Sequence, residues 1–392
     1  MAGLDRRGFL ASSGASLGAG AVLGASVTTG AARPASGGSG KPVLMKLGTQ
    51  EPSSEANFIR FQRYGIKNVC GWYKIGEQGR RYPTVDELRT VTALGEKYGI
   101  SIDMTDCDIG RGDRSALMLG KSPERDREIE DFQTTIKNCA AAGIPAIKYY
   151  LSILPILRLN EVPGRGDTLY NRWNYADAVA GKGKTLVLGQ QEAGAGRENT
   201  TRAGHVDADT FWERISYVLE RIVPVANEYK VRLAQHPHDP GLPPQGFLGV
   251  PNVLGTVEGL KRFVSMQDSP YHGLNFCQGT ICEMLDDPAK QVFDVIRWFG
   301  QRKKIFNVHF RNIKGRRGDF VAECFPDDGD IDLPATVQVY REVGYDGMLM
   351  PDHIPRMAPM GRDARTLKEA EDESFVFAYG YIRGLIQTAA RV

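Results

Sequence analysis

Four short apolar stretches of this sequence each end in side chains that can bind a metal ion. The four segments are Gln235-His236-Pro237-His238-Asp239-Pro240, Phe276-Cys277-Gln278-Gly279-Thr280, Val308-His309-Phe310-Arg311-Asn312 and Met350-Pro351-Asp352-His353. Imidazole, thiolate and carboxylate groups in combination suit Mn, Fe, Co or Zn better than Mg or Ca. We therefore predict that a single divalent ion is bound by one residue from each segment: His236, Cys277, His309 and Asp352.

Each of these residues also has a simpler interpretation. A single histidine at a strand end often only makes structural hydrogen bonds, a lone cysteine is usually buried packing, and an aspartate can cap a loop. The joint pattern favours the metal site, because four potential ligands at the ends of four successive strands would be a poor coincidence.

Three further residues near these strand ends are candidates for catalysis. His238 and His353 lie next to predicted ligands, and we expect that one supports a ligand while the other transfers a proton. Arg311 follows His309 by two residues, so both point to the same side of an extended strand. A guanidinium there could hold a substrate carboxylate through two hydrogen bonds, or it could form a salt bridge within the fold.

Short apolar strands and amphipathic helices alternate along most of the chain. The predicted strands are Val43–Gly48, Asn68–Trp72, Ile100–Thr105, Ala146–Leu151, Val231–Gln235, Leu274–Cys277, Ile305–Phe310 and Gly347–Met350. The predicted helices are Glu55–Tyr64, Thr84–Tyr98, Pro123–Ala142, Ala208–Tyr229, Val257–Met266, Pro288–Phe299, Leu333–Val343 and Lys368–Ile386. Alternation predicts a parallel sheet, and eight units predict an α/β fold of the (β/α)8 TIM-barrel type over residues 43–392. A doubly wound open sheet is the alternative, although no dinucleotide-binding glycine motif follows the first strand.

One connection interrupts this alternation. Residues 152–207 show no clear strand and are rich in Gly, Arg, Asn and Thr. They follow the fourth strand, at the end of the barrel where active sites lie. A connection of this length predicts a lid or a contact between subunits, and we expect a homo-oligomer.

The first residues of the chain have the composition of an export signal. Arg6-Arg7 precedes Phe9-Leu10 and a weakly apolar, glycine-rich run, and small residues follow near position 30. This pattern resembles a twin-arginine signal peptide over residues 1–35, followed by a linker over 36–42. The alternative is a membrane anchor, but the run is too short and too rich in glycine for a stable span. We predict a periplasmic or extracellular protein.

The overall composition excludes several classes of protein. The 392 residues carry 49 Lys and Arg against 47 Asp and Glu, a net charge of +2. This balance argues against a nucleic-acid-binding protein or a membrane-surface protein that depends on bulk charge. Six cysteines are too few for a disulfide-stabilised scaffold. A small-molecule substrate is the expected partner.

Taken together, the strand-end motifs resemble the mannonate dehydratase family. The resemblance also includes Gly329-Asp330-Ile331-Asp332, and it is best after residue 229. It implies a metal-binding barrel in which the equivalents of His236, Cys277, His309 and Asp352 hold Mn²⁺ or Fe²⁺, with Zn²⁺ or Co²⁺ as alternatives. It further implies that His353 takes part in proton transfer and that water is removed from D-mannonate or a related hexonate to give a 2-keto-3-deoxy acid.

The sequence departs from the family pattern at three places. His238 replaces an aspartate, Thr105-Asp106-Cys107-Asp108 replaces a Glu-Ser segment followed by a histidine, and Pro326 replaces another histidine. Two other functions therefore remain open. One is a metal-dependent sugar isomerase or epimerase, although such sites usually use Glu and Asp ligands. The other is a non-catalytic periplasmic protein that binds sugar acids.

Overall fold

The computed structural model describes residues 41–73, 75, 79–112, 114–188, 201–357 and 367–391. The predicted signal peptide lies outside these residues, so the leader and the export of the protein stay predictions. None of the helices in the described ranges combines the length and the apolar character that crossing a bilayer requires.

Eight parallel strands form a closed barrel, as predicted. They are β1 (Lys46–Thr49), β2 (Asn68–Gly71), β3 (Ser101–Asp106), β4 (Ala146–Tyr149), β9 (Arg232–Gln235), β10 (His272–Cys277), β11 (Ile305–His309) and β14 (Met348–Met350). Around the barrel their order is β1-β14-β11-β10-β9-β4-β3-β2. All eight lie within or beside the predicted strands, which confirms the (β/α)8 fold.

Helices follow the strands and cover the outside of the barrel. They are α1 (Glu55–Arg63), α2 (Val85–Lys97), α3 (Ala116–Leu119), α4 (Glu124–Ala141), α5 (Tyr175–Val179), α6 (Ala208–Tyr229), α7 (Val257–Ser265), α8 (Gln278–Glu283), α9 (Pro288–Gln301), α10 (Leu333–Glu342) and α11 (Leu367–Ala389). Thr84 and Glu87 form a reciprocal cap at the start of α2, which fixes where that helix begins. The short helices α3, α5 and α8 were not predicted.

The helices pack on the barrel through one apolar stripe each. In α6, Phe211, Ile215, Leu219 and Ile222 recur at helical spacing and are fully buried. Inside the barrel, a smaller buried cluster includes Cys70, Met104, Phe306 and Met350. The barrel interior is therefore filled by side chains, and polar chemistry is left to the ends of the strands.

The expectation that residues 152–207 contain no strand is wrong. The segment carries β5 (Ile156–Arg158), β6 (Asn160–Pro163), β7 (Thr168–Asn174) and β8 (Leu186–Leu188). β7 pairs antiparallel with β13 (Asp319–Val321) and β15 (Arg356–Met357), and β13 pairs with β12 (Lys314–Arg316). These partners are distant in sequence, so no local pattern indicates the pairing. The role of the segment as a lid or subunit contact stays a prediction.

Trp173 anchors this second sheet, and its removal tests that packing. Its side chain is fully buried on β7 and meets the ring of Phe247 edge to face, with centroids 5.6 Å apart. Trp173→Ala leaves a large cavity, so we expect it to lower the free energy of unfolding by about 3–5 kcal/mol. Urea unfolding followed by circular dichroism measures this change.

The matched control is Val179→Ala in the same segment, where the side chain is exposed. This substitution should change stability by no more than about 0.5 kcal/mol. Equal effects of the two substitutions would show that Trp173 does not stabilise the sheet.

Candidate metal centre

Four buried side chains from neighbouring strand ends come together at one end of the barrel. Each of His236, Cys277, His309 and Asp352 offers one ligand atom, and these atoms all lie within 4.8 Å of one another. Strand register explains the meeting, because Cys277 on β10 is paired directly with His309 on β11. The predicted ligand set is therefore assembled in one place.

His236 is held in the form that a metal requires. Its Nδ1 lies 2.7 Å from the carbonyl oxygen of Pro237, which can only accept a hydrogen bond. Nδ1 must therefore carry the proton, and the lone pair of Nε2 is left for an ion. Burial, together with nearby His309, lowers the pKa of His236 to about 3, so the ring is neutral at physiological pH.

His309 is incompletely satisfied by the protein. Among the described residues, neither of its two buried ring nitrogens has a hydrogen-bond partner of good geometry, although Nδ1 lies 3.3 Å from Oδ1 of Asp352. A buried imidazole without partners is costly, and a metal ion would supply the missing interaction. The imidazole, thiol and carboxylate groups of the cluster and the unpartnered ring of His309 both fit a divalent ion.

Asp352 and Cys277 complete the cluster with opposite protonation behaviour. Burial alone would raise the pKa of Asp352, but His309, His353 and Arg311 lower it well below its ordinary value, so the carboxylate is ionised. Burial raises the pKa of the Cys277 thiol to about 12. An ion bound here would therefore have to displace the thiol proton.

A chain of hydrogen bonds from Lys148 through Gln50 orients Asp352, and it was not predicted from the sequence. Lys148 on β4 donates to Oε1 of Gln50 at 2.6 Å, and Nε2 of Gln50 donates to Oδ1 of Asp352 at 2.9 Å. Lys148 also lies 3.3 Å from Asp106. The only sequence signal was that Lys148 lies within a predicted strand, while Gln50 and Asp106 come just after the ends of two others.

Arg311 does not have the surroundings expected of a substrate clamp. Its guanidinium is buried and bonded to Glu283 at 2.9 Å, to the carbonyl of Ala322 at 2.7 Å and to Asp239 at 3.0 Å. Its Nε lies 3.3 Å from Oδ2 of Asp352. The side chain is bonded to protein groups, so the salt-bridge alternative describes it better, and Arg311 lies against a predicted metal ligand.

A second buried arginine, missed in the sequence, belongs to the same network. Arg158 on β5 bonds Asp239 and lies 2.7 Å from Glu323. Against the effect of burial, Arg158 and Arg311 lower the pKa of Asp239. Burial and the neighbouring Asp239 raise the pKa of Glu283 to about 7. Two guanidinium groups thus offset most of the charge of three carboxyl groups next to the predicted metal ligands.

His238 is also placed differently from the expectation that it could act on substrate. One ring nitrogen lies 2.6 Å from Oδ1 of Asn252 and the other lies 2.8 Å from the carbonyl oxygen of Leu151. The ring packs against Phe211 of α6. Both nitrogens face acceptor oxygens of the protein, so neither is available to a substrate, and His238 packs the loop after β9.

Solvent can reach His353, whereas His238 is buried. The side chain of His353 is 29% exposed, and its Nε2 lies 3.9 Å from Oδ1 of Asp352. A partly exposed imidazole beside a buried ligand is suited to proton transfer. His272 and His205 lie apart from the cluster: His272 lies 2.8 Å from the carbonyl oxygen of Phe263, and His205 is exposed.

The lowered pKa of the buried His238 predicts that the folded protein loses stability in acid. Burial lowers its pKa from 6.5 to about 4, so the unfolded chain takes up a proton more readily than the folded chain. The contribution of neutral His238 to the free energy of unfolding is present above pH 6.5 and is lost as the pH falls toward 4. Between pH 7 and 4.5, metal-free His238→Asn should therefore lose roughly 2 kcal/mol less stability than the unmodified protein.

Urea unfolding at a series of pH values measures this difference. The control is His205→Asn at an exposed position, which should leave the acid dependence unchanged. Identical pH profiles for His238→Asn and the unmodified protein would contradict the prediction.

Comparison with known proteins agrees with this geometry. Residues 82–391 match the family model described as D-mannonate dehydratase (UxuA). The mannonate dehydratase of Thermotoga petrophila is 27% identical over 309 residues, which cover 74% of this chain and 82% of that protein. Mannonate dehydratase 1 of Halalkalibacterium halodurans is 31% identical over 248 residues, covering 59% and 66%.

Solved structures share the fold. A mannonate dehydratase from Streptococcus suis serotype 2 superposes with a TM-score of 0.71 and 22% identity, covering 88% of this chain and 95% of that one. An L-ribulose 3-epimerase has the same barrel at a TM-score of 0.54 and 15% identity, covering 89% and 96%. The family model, which spans most of the barrel, decides between these two kinds of relative. The chain therefore belongs to the D-mannonate dehydratase (UxuA) family, whose members are metal-dependent hydro-lyases of sugar acids.

Proposed function

We propose that this protein removes water from D-mannonate, or from a hexonate of related stereochemistry, to give a 2-keto-3-deoxy acid. The observation that carries the proposal is the buried cluster His236, Cys277, His309 and Asp352 in a chain of the D-mannonate dehydratase family. The imidazole, thiolate and carboxylate donors favour Mn²⁺ or Fe²⁺, with Zn²⁺ and Co²⁺ as alternatives.

The reaction requires a proton to leave the carbon next to the carboxylate and a hydroxyl to leave the following carbon. A divalent ion held by the four ligands supplies Lewis acidity toward the oxygens of the substrate. His353 is the partly exposed imidazole beside this cluster. It can accept the proton from carbon or donate one to the departing hydroxyl, so that hydroxide leaves as water.

The surrounding residues hold these groups in place. Gln50 binds one oxygen of Asp352 from one side, and Arg311 lies against the other oxygen from the opposite side. The carboxylate therefore cannot rotate freely, and its charge is maintained. Thr280 donates a hydrogen bond to Sγ of Cys277 at 3.0 Å, which favours the thiolate when an ion is bound.

Activity itself is tested by incubating the protein with Mn²⁺ and D-mannonate and assaying for a 2-keto-3-deoxy acid. The assay extends to a panel of hexonates and to Fe²⁺, Co²⁺ and Zn²⁺. Exchange of substrate hydrogen with deuterium from D₂O without loss of water would support the isomerase or epimerase alternative. Tight binding without turnover across all metals and hexonates would support the binding-protein alternative.

Two substitutions separate metal binding from proton transfer. His353→Asn should retain bound metal but lower kcat by about 10²- to 10⁴-fold, because the proton-transfer group is lost. Asp352→Asn should lose both metal and activity, because an ionised ligand is replaced by a neutral amide. Metal content by mass spectrometry and steady-state kinetics give the two measurements. A His353→Asn protein with unchanged kcat would remove His353 from the mechanism.

A further inference from the structure

We propose that Arg111, in the loop after β3, binds the carboxylate of the sugar acid and selects acids over neutral sugars. The inference rests on the proposed function for the class of substrate. It assigns to Arg111 the role that sequence analysis gave to Arg311.

Within the described ranges, the other cations near the cluster already have carboxyl partners. Arg158 and Arg311 are buried within the carboxyl network. Lys148 is 3% exposed and is engaged by Gln50 and Asp106. The side chain of Arg111, by contrast, is 22% exposed. It is therefore a charged donor that a dissolved substrate can reach.

Stacking places Arg111 close to the metal ligands. Its guanidinium carbon lies 3.6 Å from the ring centroid of Tyr150, a distance typical of a cation–π contact. Tyr150 in turn stacks on the ring of His236, with ring centroids 5.1 Å apart and ring planes inclined by 27°. The tyrosine ring thus connects the guanidinium to a metal ligand, and one small acid could contact both.

The backbone fixes the loop that carries Arg111. The N–H of Cys107 donates to the carbonyl of Lys148 at 2.8 Å, and the N–H of Ser152 donates to the carbonyl of Gly110 at 3.1 Å. Gly110 has a φ of +91°, and a Cβ there would lie 2.3 Å from the carbonyl oxygen of Tyr150. The arginine is therefore presented by a loop that lies tightly against the extension of β4.

The local charge favours an anion. Arg111 and Lys148 share the carboxylate of Asp106, at 3.2 Å and 3.3 Å, and Arg111 also lies 3.2 Å from Asp108, so Asp106 is the one buried carboxylate that faces the two cations. Asp108, the remaining partner, is 71% exposed, so it is a weak competitor for the guanidinium. The Nε of Arg111 is buried without a partner in the part of the chain that the structure describes. An incoming carboxylate would supply the missing acceptor.

The test pairs a change in the arginine with a change in the ligand. Arg111→Gln should raise KM and Kd for D-mannonate by about 10- to 100-fold, because a charge-assisted hydrogen bond is lost. Affinity for D-mannonamide, whose amide replaces the carboxylate, should be low and nearly equal in the variant and the unmodified protein. Calorimetry with the Mn²⁺-loaded proteins measures both affinities.

Two further variants control for folding and for the loss of an arginine in general. Arg111→Lys keeps the positive charge but loses the planar guanidinium group. Its affinity for D-mannonate should therefore lie between those of the unmodified protein and Arg111→Gln. Arg221→Gln on α6 removes a comparable stack, with the guanidinium carbon 3.4 Å from the ring centroid of Tyr217, and should leave both affinities unchanged. Metal content and circular dichroism confirm that each variant is folded.

The outcomes separate this inference from the proposed function. An unchanged Kd for D-mannonate in Arg111→Gln, or an equal loss of affinity for acid and amide, would overturn the role of Arg111 as a carboxylate ligand. Absence of turnover in the unmodified protein would instead overturn the dehydratase proposal. In that case the binding measurements still decide whether Arg111 recognises the acid.

Discussion

The buried ion-pair network around Arg311 is the interaction on which the functional end of the barrel depends. It joins the guanidinium groups of Arg311 and Arg158 to the carboxyl groups of Asp239, Glu283 and Glu323. Each of these charges would cost several kcal/mol if it were buried alone. Because they are buried together, the strands that carry them must meet in one arrangement.

The network stabilises both the segment that follows β4 and the predicted metal ligand Asp352. Arg158 belongs to the segment that leaves the barrel after β4, so its bonds to Asp239 and Glu323 tie that segment to the loops after β9 and β11. Arg311 lies against Asp352, so the same charges steady a metal ligand. The second sheet and the metal cluster are therefore stabilised by one set of contacts, which limits how far either can change independently.

On the other side of the cluster, the chain of hydrogen bonds from Lys148 through Gln50 holds the second oxygen of Asp352. Lys148 shares Asp106 with Arg111, so orientation of the ligand and recognition of an anion are coupled through one carboxylate. The predicted metal cluster thus lies between the Arg311 network and the cationic pair of Arg111 and Lys148. This arrangement supports the proposal that the substrate acid binds on the side of Arg111.

The eight strands, the main helices and the four predicted ligands were predictable from sequence, because they depend on local patterns. Apolar runs, helical periodicity and terminating glycines such as Gly65 and Gly99 act over a few residues, and barrel closure follows from their number. Ligands at equivalent strand ends are then brought together by the register alone. Sequence by itself therefore determined the architecture and the position of the metal cluster. Only the tertiary structure decided which cations solvent can reach. The contacts of Arg311, the burial of His238, the strands of residues 156–188 and the stacking of Arg111 all depend on partners far away in the chain.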